Sequence, residues 1–383
     1  MPCPLCDNTS TWSFCQIDQA PVICNALSPT RERALLVDKA RIELVFCPGC
    51  GLIYNSAYDP ARIAYTGDYE NSLFFSSRFR EYARQQAMDL VRTHNLLRKR
   101  IVEIGCGNGD FLREICEIGN NIGAGFDPAA PAREISTNVR LVPREFDPSR
   151  DALDADLVCC RQVLEHIWSP RRFLSELRRS IGRGGTTLFL EVPNALWMLR
   201  RGDLWDVIYE HCAYYTPLAL RRVLAMSGFL AGEVHPVFGE QFLTVEAVPA
   251  HVNNIHPCDD GMHEIETLVR QFQSSCVRNM SFWQERLATM YKNGATAAVW
   301  GSGSKGVTFL NALNAPLEVI PWVVDINPRK HGRYIPGAAQ RVIPPEELLS
   351  HACDSVIVMN PIYIEEISRT LQSLDIQCEL LTA

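Results

Sequence analysis

The sequence predicts an α/β protein with a cysteine-rich N-terminal part followed by two Rossmann-like units. Three observations support this fold class: two Cys-x-x-Cys pairs within the first 50 residues, and two glycine-rich turns, each between a strand pattern and a helix pattern. At 383 residues and 47% hydrophobic composition, the chain has enough apolar residues for several cores. We expect five segments, at 1–57, 58–95, 96–250, 251–293 and 294–383.

The first segment predicts a structural metal site. Cys3-Pro-Leu-Cys6 and Cys47-Pro-Gly-Cys50 are two knuckles that can each aim two thiolates at one tetrahedral Zn²⁺. Cys15 and Cys24 are alternative ligands, although neither belongs to a pair. A redox dithiol would explain one pair but not both. Four protein ligands leave no open position, so this zinc-binding domain is expected to be structural and not catalytic.

The second segment, 58–95, is aromatic at first and then helical, and we interpret it as a connector. The third segment alternates strand and helix patterns, which predicts a mostly parallel sheet with helices on both faces. Its predicted strands are 101–104, 122–126, 139–142, 156–160, 185–192, 229–234 and 242–248.

The first glycine turn follows the strand at 101–104. Glycines without a Cβ let the backbone approach a ligand closely, and the helix predicted at 111–118 would begin beside them. Asp127 ends the next strand, where an acidic side chain can hold a ribose diol. The pattern Glu-x-Gly-x-Gly-x-Gly resembles motif I of class I S-adenosylmethionine (SAM) methyltransferases; a turn that serves packing alone is the alternative. The expected cofactor contacts are Glu103, Gly105, Gly107, Asn108, Gly109, Asp127, Pro128 and Gln162.

The last two segments predict a linker and polar helix over 251–293, then a second Rossmann-like half with strands at 297–300, 319–324 and 355–359. Its turn, Gly301-Ser-Gly-Ser-Lys-Gly306, could hold a phosphate through backbone N–H groups, with Lys305 as a point charge. A turn that serves only packing is the alternative interpretation.

Two histidines are candidates for acid–base chemistry. His211 lies in Tyr-Glu-His-Cys-Ala-Tyr-Tyr, and the charge of the preceding Glu210 could tune its imidazole. The alternative is that His211 merely precedes a helix capped by Thr216 with Pro217 at its first position. His166 follows the fourth predicted strand, and is either a pocket residue or a structural histidine.

Taken together, these motifs resemble the zinc-containing sugar C-methyltransferases that add branched methyl groups to nucleotide-linked deoxysugars in antibiotic biosynthesis. The resemblance covers essentially the whole chain and is most specific in Gly301–Gly306, Val324–Lys330 and Tyr334–Gly337. It implies SAM, a structural zinc and a keto-sugar acceptor deprotonated beside its ketone, with the C-terminal domain helping to hold the nucleotide.

The resemblance also implies roles for individual residues. His211 matches the family's base and Glu210 its acidic neighbour, His166 matches an active-site histidine, and Tyr69 matches a pocket tyrosine for which Tyr65 is the alternative. The expected acceptor contacts are Tyr65, Tyr209, Tyr214, Gly301, Gly303, Ser304, Lys305, Asp325 and Lys330.

Three departures from the family pattern concern the acceptor and not the cofactor. Ile208 and Tyr209 stand where a tyrosine and a histidine are usual, and Val237–Leu243 replaces a His-Gly-Gly-Ser segment. Met359-Asn-Pro361 replaces a Trp-Asn pattern in the last strand. These changes leave open O- or N-methylation of another small molecule, and a scaffold without activity, although the intact first turn argues against the latter.

Composition limits the partners. A net charge of −7 gives no electrostatic reason to expect nucleic acid or an anionic membrane. The sequence has no apolar run of about 20 residues and no signal-peptide pattern. Fifteen cysteines, an odd number without such a signal, indicate a reducing cytoplasm. We expect a monomer or a weak homo-oligomer.

Overall fold

The computed structural model describes residues 2–65, 68–131, 134–151, 153–181, 185–250 and 261–383. The predicted linker therefore lies largely outside the described residues, and the five predicted segment boundaries remain expectations. The described part of the chain forms three sheets.

The N-terminal part contains strands and a helix that the sequence analysis did not predict. Its elements are β1 (Trp12–Pro21), α1 (Arg31–Leu35), β2 (Lys39–Phe46) and β3 (Ile53–Asn55). The three strands pair antiparallel in the order β1-β2-β3. In β2, Ala40, Ile42 and Leu44 are buried at alternate positions, which is the two-residue period typical of a β-strand.

Helix α2 (Ser77–Thr93) supplies the predicted helical connector. The Ser76 side chain caps it by accepting a hydrogen bond from the Phe79 backbone N–H. Phe79, Ala83 and Ala87 are buried four residues apart, so one face of the helix packs on the central sheet unit.

The central unit contains the strands and helices between residues 100 and 249. Its strands are β4 (Arg100–Ile104), β5 (Ile122–Phe126), β6 (Glu134–Ser136), β7 (Val139–Val142), β8 (Leu157–Arg161), β9 (Thr187–Pro193), β10 (Ala213–Tyr214), β11 (Phe229–Ala231), β12 (His235–Val237) and β13 (Phe242–Pro249). Its helices are α3 (Asp110–Gly119), α4 (Pro170–Ser180), α5 (Ala195–Arg201) and α6 (Pro217–Met226).

The central sheet has the order β11-β13-β9-β8-β4-β5-β7-β6, with β12 also paired to β13. The run β7-β5-β4-β8-β9 is parallel, and the strands at both edges are antiparallel. From β4 the chain adds β5 and β7 towards one edge of the sheet, and then returns to add β8 on the other side of β4. Ligands of such sheets bind at the carboxyl ends of the strands where the order changes in this way. The strand predicted at 229–234 ends at Ala231 as β11, and β12, which begins at His235, was not predicted. Strand β10 joins the N-terminal sheet beside β3.

The C-terminal unit begins with a long helix. Its elements are α7 (Met262–Asn293), β14 (Ala297–Trp300), α8 (Ser304–Ala312), β15 (Trp322–Val324), β16 (Arg341–Ile343), β17 (Ser355–Val358), α9 (Ile364–Ser373) and β18 (Glu379–Thr382). The sheet is parallel throughout, in the order β16-β15-β14-β17-β18. The strand predicted at 319–324 begins only at Trp322, and β16 and β18 were not predicted.

One large hydrophobic cluster contains buried residues of all three units. The units are therefore packed together, and cavities between them are part of the fold. Within the described ranges, no helix combines the length and apolar character needed to cross a membrane.

Candidate active site

The four cysteines of the two knuckles converge. The Sγ atoms of Cys3 and Cys50 are 3.6 Å apart, and those of Cys6 and Cys47 are 3.5 Å apart. All four sulfurs lie within 4.8 Å of one another. A tetrahedral zinc with bonds of about 2.3 Å separates its sulfur ligands by roughly 3.8 Å, so this donor set fits Zn²⁺.

The alternative thiols are engaged elsewhere. Cys24 presents its backbone N–H to Glu210, and Cys15 lies beside Cys276 of α7. Neither belongs to the four-sulfur cluster found in the described chain.

The first glycine turn has the geometry of a ligand cradle. Gly107 has φ +52°, and a Cβ added there would meet no atom within 4 Å, so the turn borders open space. Its N–H donates to Asp127 Oδ2 at 2.9 Å, and the other oxygen of that carboxylate accepts from Ala129 N–H at 2.7 Å. A Cβ on Gly105 would lie 2.1 Å from Val163 Cγ2, so that glycine is required for packing. Gly109 caps α3 in the left-handed conformation, with Asn108 beside it and Pro128 exposed after Asp127.

A buried polar layer lies beneath this turn. Glu103 is 3% exposed, its Oε2 has no hydrogen-bond partner among the described residues, and burial raises its pKa to about 8. An orphaned acceptor beside an open glycine turn fits a cofactor with donor groups. Arg161 pairs with Glu191 at 3.0 Å, and the same carboxylate accepts from the Gln162 side chain at 3.3 Å. Gln162 is thereby held at the end of β8, in the left-handed conformation with φ +55°.

The main cavity lies between the central and C-terminal units and has a volume of about 550 Å³, within the range of small-molecule sites. It is lined by many of the predicted residues. These are Tyr69, Gln162, His166, His211, Tyr214, Gly301, Gly303, Ser304, Lys305, Asp325 and Lys330.

The two histidines form an edge-to-face pair in this cavity. Their ring centroids are 4.9 Å apart. His166 Nδ1 lies 3.0 Å from the Glu210 carbonyl oxygen, which can only accept, so this nitrogen carries the proton when the ring is neutral. The lone pair of His166 is then on Nε2. No described residue donates to or accepts from the His211 ring, which contacts the rings of His166 and Tyr214.

Burial keeps both rings neutral. It lowers the pKa of His166 to about 4, and it lowers the pKa of His211 well below its ordinary value, with the neighbouring His166 adding to the effect. Near pH 7 each ring therefore has a lone pair available to accept a proton.

The carboxylate of Glu210 does not face the His211 ring. Glu210 is fully buried, and its Oε2 accepts from the Cys24 N–H at 2.8 Å. Burial raises its pKa to about 7, whereas the lowered pKa of His211 comes from burial and from the neighbouring His166. The contact described for the Glu210 carboxylate is with Cys24, so the expectation that its charge tunes His211 stays a prediction. The carboxylate instead connects the loop to the N-terminal unit.

The four predicted tyrosines separate into different environments. Tyr69 lines the cavity, whereas the Tyr65 hydroxyl lies 2.8 Å from His166 Nδ1 and its ring packs edge-on against Tyr69. Tyr214 lines the cavity while its hydroxyl bonds to the backbone of Ile208. Tyr209, expected to contact the acceptor, lies outside the cavity lining, because its hydroxyl accepts from the Asp59 N–H at 2.9 Å.

The second glycine turn lines the cavity, but its lysine is already paired. The Lys305 ammonium lies 2.8 Å from Asp203 and 2.7 Å from Asp206, and 4.4 Å from the Trp197 ring centroid. Although burial alone would lower the pKa of Lys305, the two carboxylates raise it above its ordinary value. A phosphate at this turn would meet a cation that two carboxylates already neutralise.

Several cavity residues were missed from the sequence. Asn25 comes from the loop after β1, and nothing in the local sequence marks it. Glu165 is buried, its Oε2 has no hydrogen-bond partner in the described part of the chain, and burial raises its pKa to about 8. Its position beside His166 could have identified it. Gln241 and Asn360 exchange two amide hydrogen bonds of 2.8 Å, which join the central and C-terminal units at the cavity.

Comparisons with known proteins give separate matches for the central unit and for the C-terminal unit. A family model described as a methyltransferase domain matches residues 76–231, and one described as a C-methyltransferase C-terminal domain matches residues 255–378. The chain is 24% identical over 286 residues to the C-methyltransferase NovU of Streptomyces niveus, covering 70% of this chain and 67% of that protein.

Other similar proteins match a smaller part of this chain. The ubiquinone biosynthesis O-methyltransferase of Erwinia tasmaniensis is 26% identical over 27% of this chain and 46% of its own length. The solved structure of magnesium protoporphyrin IX methyltransferase from Synechocystis covers 47% of this chain and 90% of that chain, at 19% identity and a TM-score of 0.36.

The glycine turn, Asp127 and the matched methyltransferase domain define the class: this is a SAM-dependent methyltransferase. Two further findings narrow the comparison: residues 255–378 match the C-methyltransferase C-terminal domain, and the chain is similar to the C-methyltransferase NovU.

Proposed function

We propose that this enzyme methylates a carbon next to the ketone of a nucleotide-linked keto-deoxysugar, with His211 as the base. The observation that carries the proposal is the His211 ring, which is neutral, lines a 550 Å³ cavity and has no hydrogen-bond partner among the described residues. The similarity to NovU supports carbon as the methylated atom.

The residues divide the chemistry between binding and proton transfer. SAM, when bound, supplies an electrophilic methyl group. His211 accepts the proton from the carbon beside the ketone, and the electron pair left on that carbon forms the new bond to the methyl. The bond between that methyl and the cofactor sulfur would break at the same time, with its electron pair staying on sulfur as a neutral thioether. Tyr69, in the same cavity, is the hydroxyl we assign to the developing enolate oxygen. His166 keeps its Nδ1–H on the Glu210 carbonyl and thereby holds its ring beside His211.

Zinc has a separate role in this proposal. The four cysteines would hold it away from the cavity and stabilise the N-terminal sheet. That sheet includes β10, which follows the loop bearing His211, so the metal site supports the position of the base.

The test is a methyl-transfer assay in D₂O with SAM and a panel of nucleotide-linked 4-keto-6-deoxy sugars, followed by mass spectrometry. We expect a product one methyl group heavier, and deuterium exchange beside the ketone in the absence of SAM. His211→Asn should lower both rates by roughly 10²–10⁴-fold while SAM binding is retained. His235→Asn, on an exposed position of β12, is the matched control and should change neither rate.

Two outcomes contradict the proposal. If His211→Asn exchanges and methylates at the rate of the unmodified enzyme, then His211 is not the base. If the enzyme binds SAM but neither exchanges nor methylates any sugar of the panel, the acceptor lies outside nucleotide-linked keto-sugars, and O- or N-methylation becomes the better explanation.

A further inference from the structure

Glu191 of β9 is fully buried, and its carboxyl group accepts hydrogen bonds from four side chains. One oxygen accepts from Arg161 at 3.0 Å and from the Gln162 amide at 3.3 Å. The other accepts from the Gln86 amide at 3.0 Å and from the Tyr82 hydroxyl. An ionised carboxyl group has acceptor sites for about four donors and no donor of its own, so it can serve all of them at once. A neutral amide in its place could not.

Gln162 lies where the cofactor turn and the main cavity meet. It follows β8, which pairs with β4, the strand that leads into the first glycine turn. The next residue, Val163, packs against that turn, because a Cβ on Gly105 would lie 2.1 Å from its Cγ2. Gln162 itself lines the main cavity. Its side chain is therefore close to both the space beside the turn and the space that we assign to the acceptor.

Glu191 holds both the backbone and the side chain of Gln162. The Glu191 carbonyl oxygen accepts from the Gln162 N–H at 2.8 Å, while the carboxyl group accepts from the side-chain amide. Gln162 has φ +55°, a conformation that costs free energy in a residue with a Cβ. Because a carboxylate only accepts, the amide nitrogen must face Glu191 and the amide oxygen must face away from it. No described residue donates a hydrogen bond to that oxygen, so it remains available to a ligand with a donor group.

We infer that Glu191 is a positioning residue for SAM. It fixes the backbone, the side-chain direction and the amide orientation of Gln162, and the Gln162 amide oxygen then accepts a hydrogen bond from the cofactor. SAM has suitable donors in its ammonium group, its ribose hydroxyls and its adenine amine. Since the inference concerns only the cofactor, it goes beyond the proposed function and does not depend on the acceptor or on the base.

The test is isothermal titration of the full-length protein with SAM, together with thermal melts in the absence of SAM. Gln162→Ala and Glu191→Gln should each weaken SAM binding by about tenfold, the effect of losing one hydrogen bond to a charged or buried group. The variant that carries both changes should bind SAM no more weakly than Gln162→Ala alone, because Glu191 acts on the cofactor only through Gln162.

Tyr82→Phe is the matched control, because it removes a donor from the same carboxyl group without changing a partner of Gln162. Gln86 still donates to that oxygen in this variant. Tyr82→Phe should melt at a lower temperature and bind SAM within twofold of the unmodified enzyme. Glu191→Asp keeps the charge beside Arg161 but draws the carboxylate back by one methylene, so the same comparison can be made with it if Glu191→Gln fails to fold.

Four results would overturn the inference. If Gln162→Ala binds SAM like the unmodified enzyme, this side chain does not contact the cofactor. If the Glu191 variants lose stability but keep their SAM affinity, the carboxyl group is only structural. If a change of Glu191 weakens SAM binding as much in Gln162→Ala as in the unmodified chain, its effect does not pass through Gln162. A loss in Tyr82→Phe as large as in Glu191→Gln would show that the network acts on SAM as a whole. Each result leaves the proposed base and acceptor standing, since the assay in D₂O tests those separately.

Discussion

Substitution of Gly107 tests where the cofactor binds. This residue has φ +52°, so any L-residue there must adopt the left-handed conformation, at a cost of roughly 1–2 kcal/mol. No atom lies within 4 Å of the position that a Cβ would take, so alanine meets no steric conflict. Tryptophan has the same backbone cost, and its indole would extend into the space beside the turn.

The two variants should therefore have similar stability and different SAM affinity. We expect each to melt at most a few degrees below the unmodified enzyme, because about 1 kcal/mol lowers the melting temperature by roughly 2–4 °C in a domain of about 150–250 residues and by less in a larger one. Gly107→Ala should bind SAM within a few-fold of the unmodified enzyme. Gly107→Trp should lose at least 100-fold, about 2.7 kcal/mol.

Isothermal titration with SAM and a thermal melt of each variant provide the measurement. Alanine is the internal control, since it separates backbone strain from occlusion of the pocket. If Gly107→Trp binds SAM as tightly as Gly107→Ala, the cofactor does not lie against this turn, and the assignment of Glu103 and Asp127 to its site is refuted.

Three further predictions concern stability. Cys47→Ser should lower the zinc content of the purified protein below one per chain and lower its melting temperature; an unchanged zinc content would show that the four-sulfur cluster is not the metal site. Lys305→Met should destabilise the protein by about 3–5 kcal/mol in denaturant unfolding, because it leaves the buried Asp203 and the partly buried Asp206 without their cation, and a change below 1 kcal/mol would contradict this account. Glu165 has a folded-state pKa raised to about 8, so the folded protein holds a proton that the unfolded chain releases, and its contribution to stability is lost as pH rises from about 4.5 to 8. Glu165→Gln should remove that loss, so unfolding curves at pH 5 and pH 8 should show the variant gaining on the unmodified enzyme by up to about 1.4 kcal/mol per pH unit; equal pH dependence of the two proteins would refute it.

The sequence was informative wherever function depends on local backbone geometry. Gly107 and Asp127 could be recognised because a strand, a turn and a helix in succession bring them together, and the structure places the Asp127 carboxylate on the Gly107 N–H. The cap of α6 followed from Thr216 and Pro217 for the same reason, and the Thr216 side chain accepts from the Ala219 N–H. The two Cys-x-x-Cys pairs each form a local turn, and their meeting required only that the intervening chain close a loop.

The direction of side chains and the pairing of charges depended on the packing of distant segments. Nothing near Glu210 in sequence shows that its carboxylate turns towards Cys24, 186 residues earlier, while His211 faces the cavity. Lys305 is marked by its glycine turn as a phosphate ligand, yet Asp203, 102 residues away, reaches its ammonium.

The sequence by itself therefore determined the class of fold, the glycine turn beside Asp127 and the two Cys-x-x-Cys turns, because these depend on short-range backbone geometry and residue chemistry. Only the tertiary structure decided that the four cysteines converge, that both histidines line one cavity and that Lys305 is paired with two carboxylates. The physical reason is that burial and charge neutralisation depend on groups brought together from all three units, and those contacts leave no local pattern in the chain.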